Sequence, residues 1–244
     1  MTSADATRRE QEDSGPGAPP PRHQRVQPLI PDGARRPAAI TAVCCLLLVA
    51  VLAVLAAHKS SGNAVDRPID SWLVGHLASH DGAMFDITRL GDRPEVTAFT
   101  AVTVLACLAA RRVNGAVLAV ISVVVAVGLT EYVLKPLVHE TLGSSLTYPS
   151  GHMSVVVALI GVVGVLMLAP QRPQLRVRRL IMLGLVLVGC IVAVALIAIQ
   201  FHYFTDTIAG AAVGVGVVLA TAFLLDTSWI RRVLGAAWPS RSRA

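Results

Sequence analysis

Two histidines carry the chemistry in a chain that is otherwise poor in charge. His152 closes the tetrapeptide Pro149-Ser150-Gly151-His152 at the mouth of a long apolar run, and His202 is followed four residues later by Asp206. That spacing sets His202 and Asp206 on one face of a helical turn. An Asp beside an imidazole fixes its tautomer and leaves the other ring nitrogen as a nucleophile or base. A second imidazole is then available to protonate a leaving group. Lys135 offers a point charge for an anion, while Ser150 and the Gly151 amide offer neutral donors at a helix start. Glu131, His139 and Glu140 lie close to Lys135 in the chain. Two histidines with separate tasks, a carboxylate, an ammonium and a helix N-terminus suit phosphoryl transfer through a phosphohistidine. Cations and dipoles hold the charge, so the scheme calls for neither metal nor cofactor.

The elements that must position these groups are membrane helices. Of the 244 residues 54% are hydrophobic and 15% charged, and mean hydropathy is +0.65. Such a chain has too little polar side chain to clothe a water-exposed globule. Its net charge of +6 and pI near 9.7 raise the question of nucleic acid. However, sixteen of its 21 basic residues flank apolar runs, and no basic face is interleaved with aromatics. Topology accounts for the charge, and nucleic acid is not expected as a partner.

Six apolar runs, roughly 38–57, 96–110, 116–134, 153–168, 180–200 and 207–225, predict an all-α polytopic protein with six transmembrane helices. The sixteen flanking arginines fall at the chain ends and in the connections after the second and fourth runs. The positive-inside rule therefore places both termini in the cytoplasm and His152, His202 and Asp206 on the outer face. Residues 1–37, rich in Pro, Gly, Arg and Ser, read as a disordered basic cytoplasmic tail, 38–228 as the membrane domain, and 229–244 as a short basic tail. In the first outer segment Ile69, Trp72, Leu73, His76 and Leu77 recur at helical spacing, which predicts an interfacial amphipathic helix. Gly210 and Gly214 have the small-xxx-small spacing of close helix packing. Cys44, Cys45, Cys107 and Cys190 lie inside apolar runs without metal-ligand spacing and read as small buried residues.

With these residues in view, the chain resembles the type 2 phosphatidic acid phosphatase (lipid phosphate phosphatase) superfamily. That family carries Lys-x6-Arg-Pro, Pro-Ser-Gly-His and Ser-Arg-x5-His-x3-Asp. Here Pro149-Ser150-Gly151-His152 matches the second in full, His202 to Asp206 match the end of the third, and Lys135-Pro136 resembles the start of the first. The resemblance implies that His202 is the nucleophile oriented by Asp206, that His152 protonates the leaving group, and that Lys135, Ser150 and Gly151 cradle the phosphate. It implies a lipid phosphatase or diphosphatase of the cell membrane acting on polyprenyl diphosphates, phosphatidic acid or phosphatidylglycerol phosphate. A lipid head-group phosphotransferase and a non-catalytic lipid-binding or scaffold member are the alternatives. Two family arginines are missing: their positions hold Leu142 and Leu196. Arg89 and Arg93 of the outer segment read as ordinary interfacial arginines rather than as replacements.

Overall fold

The computed structural model describes residues 28–168, 174–227 and 230. Helix α1 (Asp32–Ala56) is followed by α2 (Asp66–Leu77) and α3 (Asp81–Thr88), and a tight turn over Arg89–Gly91 leads into α4 (Arg93–Ala109). Helix α5 (Val113–Leu129) widens into a π-helical turn (Thr130–Leu134) and ends as the single turn α6 (Lys135–Val138). A two-residue hairpin, β1 (Thr141–Leu142) with β2 (Ser145–Leu146), precedes α7 (Gly151–Met167), α8 (Leu175–Ala198) and α9 (Phe204–Leu225).

Four spans, Asp32–Ala56, Val113–Val138, Leu175–Ala198 and Phe204–Leu225, are long and apolar enough to cross a membrane. The second and fourth apolar runs form α4 and α7, of 17 residues each. At about 1.5 Å per residue each is about 26 Å long, at the lower limit for a hydrocarbon core of about 30 Å.

Helices α7 and α9 form the centre. Val162 and Ala158 of α7 pack against Val213, Val217 and Val218 of α9 and against Leu118, Ala119 and Ala126 of α5. Apolar lipid removes most of the hydrophobic drive, so this packing rests on close van der Waals fit. Gly210 and Gly214 allow it: a Cβ on Gly210 would strike the Ser150 carbonyl oxygen, and one on Gly214 would lie 2.6 Å from the Ser154 carbonyl oxygen. The expected small-residue seam is thus the α7–α9 contact. Helix α1 lies on the outside, with only Val49 and Ala56 buried along its 25 residues.

The cysteine expectation needs correcting. Cys107 is buried and Cys45 half-buried, but Cys44 and Cys190 are exposed on the apolar outer faces of α1 and α8. A second correction concerns residues 28–37, which composition assigns to the tail. The buried Leu29 and Ile30 amides donate to the two carboxylate oxygens of Asp226 at 2.8 and 2.9 Å, and α1 already begins at Asp32. Two peptide donors meet both oxygens of one buried carboxylate, which orders this segment against the end of α9. Residues 1–27 and 231–244, where the rest of both tails falls, lie outside the described residues.

At the opposite end of the bundle, Ala56, Val138, Tyr148 and Ala209 cluster, so the ends of α1 and α6 meet the starts of α7 and α9. The Tyr148 hydroxyl donates to the Val49 carbonyl. Every candidate residue lies at this end.

Candidate active site

Four of the six residues singled out in the sequence, Lys135, Gly151, His152 and His202, line one cleft of about 530 Å³. The cleft is walled by the π turn and α6, the hairpin, the start of α7, the link between α8 and α9, and the turn before α4. The other two, Ser150 and Asp206, are fully buried behind it.

The π turn has a local cause. Pro136 has no amide to offer the Tyr132 carbonyl and its ring crowds that oxygen, and the helix widens over the residues just before it. Glu131 and Lys135 emerge together, with Lys135 Nζ 2.8 and 2.9 Å from the two Glu131 oxygens. A Cβ on Gly151 would lie 2.5 Å from Glu131 Oε1, so only glycine admits that carboxylate against the start of α7. Its negative charge lies beside the positive end of the helix dipole. Lys135 thus already holds an anion, beside Gly151.

Ser150 differs from its expected part in a phosphate cradle. Its Oγ accepts the Met153 amide at 3.3 Å as the helix N-cap, and its own amide donates to the Asp206 carbonyl at 3.0 Å. It joins the two histidine-bearing segments instead of facing the cleft. The amides of Gly151 and His152, first in the helix, have no acceptor one turn back and remain as donors.

His202 arrives in place through the way α8 ends. The Phe201 amide donates to the Leu196 carbonyl and the Gln200 amide to the Ile197 carbonyl, with Gln200 at φ 56°. This is a Schellman stop with glutamine where glycine is usual. The His202 Nδ1 is buried and lies 3.7 Å from Asp206 Oδ2, beyond hydrogen-bond length, while that oxygen accepts the Tyr203 amide at 3.1 Å. Nε2 is therefore the nitrogen left to the cleft. The His152 and His202 ring centroids are 6.4 Å apart.

Three groups that sequence reasoning did not place in the site are now visible. The first is Asp92, whose Oδ1 lies 2.9 Å from His152 Nε2. The sequence Asp92-Arg93-Pro94 reads as a helix start with Asp as N-cap, yet the Asp92 side chain makes no capping bond. Its engagement with His152 leaves Nδ1 as that ring's other nitrogen. The second is Gly91, where a Cβ would lie 2.6 to 2.9 Å from His152 Cδ2, Cβ and Cγ, so the turn closes on the ring only with glycine.

The third is a pair of carboxylates behind His202, joined by Glu140, which the sequence already marks as an ionisable group at this end. Asp66 and Asp70 of α2 accept the first amides of α9: Thr205 donates to Asp66 Oδ1 at 2.8 Å and Phe204 to Asp70 Oδ1 at 3.1 Å. Helix α2 is thereby fastened to the helix that bears Asp206. Glu140 is 1% exposed, and neither of its oxygens nor Asp206 Oδ1 meets a donor from another group. A buried carboxyl without a donor is held in its neutral form by its surroundings. Burial first, then the Asp206 charge, push the Glu140 carboxyl up to about 9. Burial, with Asp66 adding to it, pushes Asp70 up to about 7.

The two positions that lack the family arginines differ. Leu142 lines the cleft, whereas Leu196 is fully buried against Met153 and Val192. Arg93 lines the cleft as well, while Arg89 lies 3.7 Å from Glu95. Among the described residues no three His, Cys, Asp or Glu side chains converge as a metal site requires.

The structure is thus an apolar helical bundle with two imidazoles lining one polar cleft at one end. Residues 130–230 match the PAP2 superfamily model, and the chain is consistent with a member of that superfamily. Such a domain suggests phosphatase-type activity on phosphate esters. Neither the curated proteins nor the solved structures compared gave a match.

Proposed function

We propose that the protein is a lipid phosphatase or diphosphatase of the cell membrane, with six membrane-spanning helices and the cleft on the extracytoplasmic face. The observation that carries this reading is the pair of imidazoles facing one cleft, His152 bonded to Asp92 and His202 with Asp206 at 3.7 Å. Attack needs about 3–3.5 Å from nitrogen to phosphorus, and proton delivery about 3 Å to the leaving oxygen. The ring centroids are 6.4 Å apart, which brings both imidazoles to the same end of the cleft.

In the first step His202 Nε2 attacks phosphorus and the bond from phosphorus to the lipid oxygen breaks. That oxygen takes a proton from His152, whose orientation Asp92 fixes. In the second step water attacks the phosphohistidine opposite the nitrogen and gives a proton to His152, and the N–P bond breaks to release phosphate. Lys135 exchanges the Glu131 carboxylate for the phosphate oxygens, and the Gly151 amide donates to them. Ser150 and Asp206 hold the two histidine segments together and aim His202. The arginine excess on the other flanks supports an outward cleft.

The test is purified protein in detergent with a panel of polyprenyl diphosphate, phosphatidic acid and phosphatidylglycerol phosphate, following released phosphate and any phosphoryl transfer product. Release by wild type from at least one of them, lost in His202→Ala, is expected. A transfer product without free phosphate would make the protein a phosphotransferase. If wild type and variant are equally silent on every substrate, the fold binds lipid without turning it over.

A further inference from the structure

The cleft's cations do not match the anion it is proposed to hold. Lys135 is the one cation from the PAP2-like stretch that lines it, and the Glu131 carboxylate engages that ammonium through both oxygens. Neither leucine at the missing arginine positions supplies charge, and Leu196 is packed in the apolar core. A phosphate would meet one ammonium already balanced by a carboxylate, together with two helix amides.

Arg93 changes this. It is exposed, lines the same cleft as Lys135 and His152, and makes no ion pair or side-chain hydrogen bond among the described residues. Its neighbour Arg89 is drawn to Glu95 instead. The backbone that carries Arg93 is fixed on the acid: Gly91 abuts the His152 ring, Asp92 binds its Nε2, and the Asp92 amide donates to the Arg89 carbonyl at 2.9 Å. Because the turn is anchored to His152, a guanidinium one residue on has its reach set relative to the leaving-group side of the cleft. A planar fork of N–H donors suits two oxygens of one phosphate better than an ammonium does.

We infer that Arg93, from outside the PAP2-like stretch, is the guanidinium clamp of this cleft and binds the phosphate group of the substrate. The inference rests on the phosphatase reading. With a single clamp beside His152, the cleft is matched to a terminal phosphate monoester or the outer phosphate of a diphosphate.

The experiment uses full-length protein in detergent and measures binding of inorganic phosphate by calorimetry, with KM and kcat on the best lipid phosphate. Arg93→Gln is expected to weaken phosphate binding and raise KM by about tenfold or more, the loss of one charge-assisted pair, and Arg93→Lys to recover part of both. Arg89→Gln, whose guanidinium lies at Glu95, is expected to leave both unchanged. Because Arg93 is exposed, the melting temperature of each variant should match wild type. Phosphate binding by wild type that survives Arg93→Gln within twofold overturns the clamp and leaves the phosphatase reading standing. Absence of phosphate binding and of turnover in wild type overturns both.

Discussion

The stretch from residue 130 to 230 and the outer segment from 58 to 95 reach the same cleft by opposite means. The first brings backbone to backbone: Gly210 lies against the Ser150 carbonyl, and the Ser150 amide donates to the Asp206 carbonyl. The second reaches in with side chains: Asp66 and Asp70 take the first amides of α9, and Asp92 takes His152. One region holds the histidines at a fixed separation, and the other sets how each is oriented and which charges surround it. Damage to the first should therefore appear in folding, and damage to the second in turnover.

A matched pair of glycine substitutions separates the two. Gly210→Ala drives a methyl into backbone, and should cost about 1–3 kcal/mol of stability, read as a lowered melting temperature in detergent. Gly91→Ala meets the His152 side chain, and should lower kcat while moving the melting temperature less than Gly210→Ala does. Equal thermal effects with unchanged kcat would erase the distinction. Asp92→Asn is the next step down in size: by freeing the orientation of the acid it should lower kcat on the order of tenfold, with a shifted pH–rate profile and little change in KM.

The smallest effect concerns pH. Glu140 and Asp70 titrate higher folded than unfolded, so the folded state holds more protons between their ordinary values near 4 and their folded values near 9 and 7. Their contribution to stability is fully present below about pH 4 and is lost as pH rises through that window. Glu140→Gln keeps a donor toward Asp206 and should flatten the fall of melting temperature between pH 7 and 9.

The sequence makes the first region legible and leaves the second almost unreadable, for a physical reason. Histidine, lysine and aspartate at the ends of apolar runs are costly there and stand out, and the two histidine-bearing segments keep fixed spacing to their helix starts. In the outer segment the same chemistry is hidden among residues that water would tolerate. Asp66 and Asp70 look like the polar face of an amphipathic helix, and Asp92 looks like an N-cap. Arg93 is indistinguishable from an interfacial arginine until its cleft is known. Glu140 is legible as an ionisable group, but its protonated partnership with Asp206 depends on a burial that neighbouring residues in the chain do not announce. Ser150 reads ambiguously for the opposite reason. Its type and place fit a phosphate ligand, and the helix that follows claims its hydroxyl.

The Asp226 carboxylate, which grips amides 196 and 197 positions upstream, sets an order of events during synthesis. Helix α1 is made well before its packing partner α9 and before the carboxylate that holds its entry. Until α9 is made, the face of α1 that packs on it has no partner there, while its Leu46, Leu47 and Val54 surface stays exposed in the finished protein too. Docking of α1 on α9 is thus late, and a chain stopped before Asp226 would carry both histidines without the latch that ties residues 29 and 30 to the end of α9.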